Sequence, residues 1–283
     1  MPEIYHTIIG MPSSGKTTFL AAFWHLLNAG ELKSTLELET LKGDSSYLDR
    51  IVEMWRRCKR VLRTSIAEEN DIVMYLKDQA GQRSFALSFR DLSGEAFKNQ
   101  FATRTCTPEF VEHVNSDGGI LLFMTADRPH QAVSILDAGV DLVGGPDNFA
   151  DATEWTHDCV SEQAKLVDLL RGMQQQPYDI KLRKLAIVIS AWDVAANDEV
   201  TPDSWLRAEM PFLWQFLVTN PQSFSLKVYG VSAQGGDVSE NADNAEVRTA
   251  LLKKIPSERI VVQHGGDVSS DLSRPVLWLS EQG

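Results

Sequence analysis

The chain has 283 residues, 43% of them hydrophobic and 23% charged, with a formal net charge of −12. That is enough apolar material for a packed core without a disulfide or metal staple. The acidic balance repels phosphate backbones and argues against a general DNA- or RNA-binding role.

Ile4–Ile9 is a short apolar segment ending at Gly10, and it reads as a first strand. Directly after it, Gly10-Met11-Pro12-Ser13-Ser14-Gly15-Lys16-Thr17 matches GxxxxGK[ST] at every fixed position. A loop of this type wraps backbone N–H groups around phosphate oxygens, and Gly10 and Gly15 keep side chains out of the way. Ser13, Ser14, Gly15 and Thr18 are expected to line the phosphates. Lys16 supplies a point charge to the outer phosphates, and Thr17 supplies a hydroxyl to Mg²⁺. A helix over Thr17–Leu27 places Phe19, Leu20, Phe23, Leu26 and Leu27 on one stripe, and its partial positive end faces the phosphates. Gly30 suits its C-terminal cap.

Residues 31–70 read as a helical insertion. Asp44, Ser45 or Ser46 can cap a long helix in which Leu48, Ile51, Trp55, Cys58 and Leu62 form a buried stripe. Arg56, Arg60 and Arg63 fall on a different face, where a solvated surface is the ordinary role.

Ile72–Lys77 and Ser84–Arg90 read as an antiparallel hairpin turning near Gly81. The second strand runs into Asp91-Leu92-Ser93-Gly94-Glu95. An Asp after such a strand can hold Mg²⁺, and Gly94 lets a backbone N–H reach a γ-phosphate. Glu95 is placed to orient an attacking water, although a carboxylate beside a γ-phosphate is electrostatically awkward. Asp91-to-Gly94 is DxxG, a pattern that a plain strand-turn also satisfies, so its position after the hairpin carries the assignment.

Gly119–Thr125 is continuously apolar and suits a strand covered on both faces. Arg128–Ala150, rich in Gly and Pro, reads as loop with short helical pieces. Thr153–Gln175 reads as one amphipathic helix burying Cys159, Val160, Ala164, Val167, Leu170 and Met173. Leu185–Ser190 is a second doubly buried strand, followed by Ala191-Trp192-Asp193. A carboxylate at Asp193 can accept from N1–H and the 2-amino group of guanine, an edge on which adenine offers no such donor pair. A helix over Pro202–Thr219 and a strand over Leu226–Val231 lead to Ser232-Ala233, where a backbone N–H can meet the guanine carbonyl. Ala245–Lys254 and Pro275–Glu281 read as helices and Arg259–Val262 as a strand.

Strands alternating with helices predict an α/β fold. The specific expectation is a three-layer P-loop sandwich of Ras-like topology with helical insertions. Its sheet would be mostly parallel with one antiparallel edge strand. No linker divides the chain, so it reads as one domain with the 31–70 insertion and a C-terminal extension over 236–283. Cys58, Cys106 and Cys159 form no CxxC pair, which supports neither a zinc nor a thioredoxin-like site. The six histidines show no metal-ligand spacing. No apolar run is long enough to cross a bilayer and no leader pattern opens the chain. The expectation is a cytoplasmic protein without integral membrane contact.

The order GxxxxGK[ST], DxxG, Ser-Ala-Trp-Asp, Ser-Ala resembles that of the Ras-like P-loop GTPases, where [NT]KxD stands in third place. More narrowly, Gly10–Leu20 with Trp24 and Ser273–Leu279 (SRPVLWL) resemble the double-GTPase proteins of bacterial conflict systems. The resemblance implies a slow GTPase using Mg²⁺, cycling between GTP and GDP, and switching a protein effector or operon partner. Two positions depart from it. Ala191 replaces the family lysine whose stem lies against the base, and Glu95 stands where a glutamine is common. Thr35, Thr40 and Thr64 are candidates for the switch threonine, and Arg83, Arg90, Arg104 and Arg128 lie near switch elements. A P-loop ATPase or kinase, and a nucleotide-binding scaffold without turnover, are the alternative readings.

Overall fold

The computed structural model describes residues 4–31, 35–61, 72–78, 83–89, 94–127, 156–196, 199–238 and 244–281. Among the described residues nine strands form one sheet: β1 (Tyr5–Gly10), β2 (Leu36–Lys42), β3 (Ile72–Asp78), β4 (Ser84–Phe89), β5 (Ile120–Thr125), β6 (Arg183–Ser190), β7 (Phe224–Ser232), β8 (Val261–His264) and β9 (Asp267–Ser269). Their spatial order is 2-3-4-1-5-6-7-8-9. β4, β1, β5, β6 and β7 are mutually parallel, and β3 and β8 run against them. The outermost strands β2 and β9 reverse direction once more. The expected single antiparallel edge strand is therefore corrected. There are two opposed strands, and each sits one place in from an edge.

The central strands alternate between two cores, as the pleat requires of strands covered on both faces. Ile8, Leu121, Phe123, Ala186 and Val188 point to one side. Ile9, Ile120, Leu122, Met124, Leu185, Ile187 and Ile189 point to the other. The first side is covered by α1 (Lys16–Ala29), α2 (Ser45–Arg56) and α10 (Ser273–Ser280). The second is covered by α3 (Glu95–Thr103), α4 (Pro108–Asn115), α5 (Glu162–Gly172), α7 (Pro202–Glu209) and α8 (Pro211–Thr219). A single turn, α6 (Trp192–Ala195), follows β6, and α9 (Ala245–Leu252) lies in the C-terminal extension.

Several elements depart from the sequence expectation for identifiable reasons. The 31–70 insertion is not wholly helical: β2 pairs antiparallel with β3 from Leu36↔Asp78 to Lys42↔Val73. Its Leu36-Glu37-Leu38-Glu39 alternation was the available signal, and its charged outer face suits an edge strand. Helix α2 is capped by Asp44, whose side chain accepts from Ser46 N at 2.8 Å. It stops at Arg56, and Cys58 at φ 48° turns the chain away. The helix expected over Thr153–Gln175 starts only at Glu162, because Val160 is extended; residues 153–155 lie outside the described residues. Its buried face is Leu166, Leu169, Leu170 and Met173, and Cys159 is exposed. The helix over Pro202–Thr219 is two helices broken at Met210, since Pro211 cannot donate into the preceding turn. The expected strand over Arg259–Val262 begins two residues later, after a 3₁₀ turn at Pro256–Arg259. Helices α3 and α4 were not foreseen, and residues 128–155, expected as loop, lie outside the described residues.

Helix α10 closes the first face. Lys184 Nζ donates to the carbonyls of Trp278 (3.0 Å) and Glu281 (2.5 Å), and Arg83 donates to that of Ser280 (3.0 Å). Cations at a helix C-terminus are favoured by its dipole. His6 completes the joint. Its Nδ1 accepts from Gly119 N at 2.9 Å, so Nε2 carries the proton and donates to Ser280 Oγ at 2.8 Å. Burial first, and the nearby Lys184 charge second, lower the His6 pKa from 6.5 to about 3.

An unfolded chain takes up that proton near pH 6.5, and the folded chain does not until about pH 3. His6 thus makes no contribution above pH 6.5, and stability falls as pH drops below it, by up to about 1.4 kcal/mol per pH unit. Urea unfolding between pH 7.5 and 5 should show this slope, and His6→Asn should flatten it. An equal slope in the variant would remove His6 as its source.

Candidate functional site

The residues expected to bind phosphate sit where β1 ends, between the parallel neighbours β4 and β5. This is the carboxyl end of the parallel strands, where open α/β sheets take their ligands. Gly15 caps α1 in the left-handed region at φ 90°, and Phe19 N donates to its carbonyl at 3.0 Å. Both loop glycines are required by contact. A Cβ on Gly10 would lie 2.7 Å from the Phe123 carbonyl oxygen, and one on Gly15 would lie 2.5 Å from Ser190 Oγ. Ser13 is itself held at φ 65°, so the loop is a strained, anion-sized nest at the start of a fourteen-residue helix.

Lys16 is 2% exposed. Its ammonium donates to the carbonyls of Gly10 (2.7 Å) and Met11 (3.1 Å) and to Ser14 Oγ (3.4 Å). The lysine therefore folds over the loop it belongs to, with its charge at the centre of the nest. Ser14 is buried beneath it, Ser13 is exposed, and Thr17 and Thr18 are half-buried on the first turn of α1.

Gly94 lies against this loop. At φ 81°, it has the Pro12 nitrogen 2.5 Å and the Met11 carbonyl carbon 2.6 Å from where a Cβ would stand. Backbone thus packs on backbone, and no other residue type fits. Gly94 is also the N-cap of α3, and Glu95 is that helix's first residue, half-buried. Asp91 lies outside the described residues.

The segments expected to meet the base converge from the far side. Ser190, at the end of β6, touches Gly15 as above. Ala191 turns the chain at φ 51° into α6. Asp193 is exposed, and one of its carboxylate oxygens accepts from the buried Ser232 hydroxyl. Ser232 in turn accepts from Gly235 N at 3.1 Å. The serine and the carboxylate, 39 residues apart, are thus one unit. Trp192 is fully buried, with Nε1 donating to Gln263 Oε1 at 2.7 Å and its ring edge-on to Trp205. It packs the core and does not cover a base.

Ser13, Gly15, Thr18, Ser190, Ala191, Asp193 and Ala233 line one cavity of about 560 Å³. Glycine cradle, charged lysine, helix N-terminus and carboxylate–hydroxyl pair suit a purine nucleotide with its phosphates on the loop. The Mg²⁺ donor set is represented among the described residues by the Thr17 hydroxyl beside the loop.

Other candidates are redistributed. Thr35 bonds Ser273 Oγ (2.6 Å) and Asp271 (3.3 Å), and Thr40 is held in β2 opposite Tyr75. Thr64 lies outside the described residues. Arg83 is bound to the α10 carboxyl end, and Arg104 pairs with Asp168; Arg90 and Arg128 lie outside the described residues. Sequence reasoning missed Lys59, Thr125, Asp127 and Asp237, which all line the cavity. Arg60, expected on a solvated helix face, is exposed, but it lies beyond the end of α2 and lines the cavity too. The termination of α2 at Arg56, which no periodicity revealed, brings Lys59 and Arg60 there.

Fold and loop together define a P-loop nucleotide-binding protein. The family model described as Double-GTPase 1 matches residues 7–279, and the chain belongs to that family of P-loop GTPases, for which GTP is the nucleotide. Among solved structures, the chain is similar to the nucleolar GTP-binding protein 1 of Plasmodium falciparum. Identity is 13%, over 89% of this chain and 88% of that one, with a TM-score of 0.37. No curated protein matches the sequence. Among the described residues no helix is long and apolar enough to cross a membrane.

Proposed function

We propose that the chain binds GTP with Mg²⁺, hydrolyses it slowly, and uses the difference between its GTP and GDP forms to switch a protein partner. The observation that carries this reading is the convergence of Ser13, Gly15 and Thr18 with Asp193 and Ala233 in one cavity, Asp193 being held by the Ser232 hydroxyl and Gly94 laid on the same loop. One domain over residues 1–283 is part of the proposal. The nine-stranded sheet supports it, since β2 comes from the insertion and β8 and β9 come from the extension.

In this reading the Ser13–Thr18 backbone and Gly15 hold the α- and β-phosphates. Lys16 exchanges the Gly10 and Met11 carbonyls for outer phosphate oxygens. Thr17 and Asp91 would hold Mg²⁺, which when bound neutralises charge on the β- and γ-phosphates. Gly94 N–H meets the γ-phosphate, so presence or loss of that group is transmitted to α3, which starts there. Glu95 accepts a hydrogen bond from the attacking water. The water oxygen bonds to the γ-phosphorus, the bond to the β–γ bridging oxygen breaks, and GDP and phosphate leave. A carboxylate in place of an amide at Glu95 adds negative charge beside the phosphate, which keeps unassisted turnover slow. Asp193, held by Ser232, accepts from guanine N1–H and the 2-amino group, and the Ala233 N–H meets the guanine carbonyl. The partner and conflict-system role rest on the family resemblance.

Titration of nucleotide-stripped protein with fluorescent GDP in Mg²⁺, competed by GTP and by ATP, tests the reading. GTP should compete and ATP should not. In Asp193→Asn the GTP-over-ATP preference should fall about 10²-fold, the size expected for two hydrogen bonds to a charged acceptor. An unchanged GTP/ATP ratio would sink Asp193 as the base reader and move the protein toward the ATPase class.

A further inference from the structure

We propose that Lys59 and Arg60, carried in by the insertion, form the outer wall of the base and ribose end of the nucleotide cavity. There they supply what the missing lysine at position 191 would supply. The inference rests on the guanine reading above and adds residues to it.

Both side chains line the same cavity as Ala191 and Asp193. Ala191 offers no stem to cover a base, so that side of the cavity depends on another element. The segment carrying Lys59 and Arg60 is fixed at the base-recognition loop rather than at the phosphate loop. Trp55 Nε1 donates to the Ala233 carbonyl at 2.9 Å, and Gln234 Nε2 donates to the Trp55 carbonyl at 3.2 Å. Arg259 pins the following turn through the Arg56 carbonyl (3.0 Å) and Cys58 Sγ (3.1 Å). Cys58, in the left-handed region two residues past the end of α2, turns the chain so that the next residues line the cavity.

Charge agrees with placement. Asp127, Asp193 and Asp237 also line the cavity, and Lys59 and Arg60 are its basic residues. The two cations offset the repulsion among those carboxylates at the end of the cavity where base and ribose bring no charge of their own. Both side chains are exposed and make no hydrogen bond or ion pair with any described residue. Long methylene stems ending in cations can lie along a purine face and ribose with the charge in water.

The test uses the full chain with Lys59→Ala and Arg60→Ala combined, titrated with fluorescent GDP and competed by GMP, GDP and GTP. Affinity is expected to fall about tenfold, by the same factor for all three nucleotides, since the contact is to base and ribose. The thermal midpoint should stay at the wild-type value, because both side chains are exposed. Wild type that lacks guanine preference would overturn the guanine reading itself. Wild type with guanine preference, but a variant binding within twofold of it, would overturn the inference alone. A loss that grows from GMP to GTP would also overturn it, by assigning the pair to phosphates.

Discussion

Lys16→Ala is expected to weaken GDP and GTP binding by about 10²- to 10³-fold while leaving the fold intact. The ammonium is almost wholly buried at the centre of the phosphate loop and already bound to the Gly10 and Met11 carbonyls. Phosphate oxygens are better partners than carbonyls for such a cation. Truncating one member of a desolvated charge pair costs about 2–5 kcal/mol, or about 30- to 4,000-fold, and the expected loss sits in the middle of that range. Without nucleotide the lysine is held by neutral carbonyls, which can turn to water when it is gone, so unfolding in urea should change little. Calorimetric titration of wild type and variant decides the point. Binding within threefold of wild type would remove the phosphate-loop assignment.

Gly94→Ala should separate hydrolysis from binding. A Cβ there would stand 2.5 Å from the Pro12 nitrogen and 2.8 Å from the Gly10 carbonyl oxygen, neither of which belongs to a flexible side chain. The left-handed φ of 81° adds about 1–2 kcal/mol of strain for alanine. The cheapest relief is to move the start of α3 off the loop. GDP, held by the loop and by Asp193, should bind within about threefold of wild type. The Gly94 N–H and Glu95 would leave the γ-phosphate, and a displacement of about 1 Å can cost about 10²-fold in rate. Single-turnover GTP hydrolysis beside GDP titration reads both quantities. Unchanged hydrolysis would dissociate Gly94 from the γ-phosphate. An equal loss of GDP affinity would mean that the contact shapes the loop as a whole.

These two positions also show where the chemistry was legible. Gly10–Thr17 could be read directly because its demands are local: eight consecutive residues make the nest, and the helix that supports it follows at once. Gly94 was legible only by order along the chain, since DxxG is met by many turns. Its contact with Met11 and Pro12 is what gives the glycine a physical reason. Asp193 and Ser232 were each named from position, but their pairing, with the hydroxyl holding the carboxylate, is a contact across two parallel strands that no local pattern encodes. Trp192 reads the same whether it covers a base or fills a core, and only its burial against Trp205 and Gln263 decides between them.

By itself the sequence determined the phosphate loop, the two doubly covered strands β5 and β6, the β3–β4 hairpin and the helical stripe of α1. Each of these is written in a short continuous stretch of chain, where periodicity and backbone chemistry act. Only the tertiary structure decided that β2 joins the sheet and that β3 and β8 run against it. It also decided that α2 ends early enough to bring Lys59 and Arg60 over the cavity. Those outcomes depend on which surfaces meet. The edge of β3 takes an alternating Leu-Glu strand, and Trp55 finds the Ala233 carbonyl 178 residues away. Such long-range pairings are selected by burial and hydrogen-bond satisfaction in the assembled core, and a linear pattern carries no record of them.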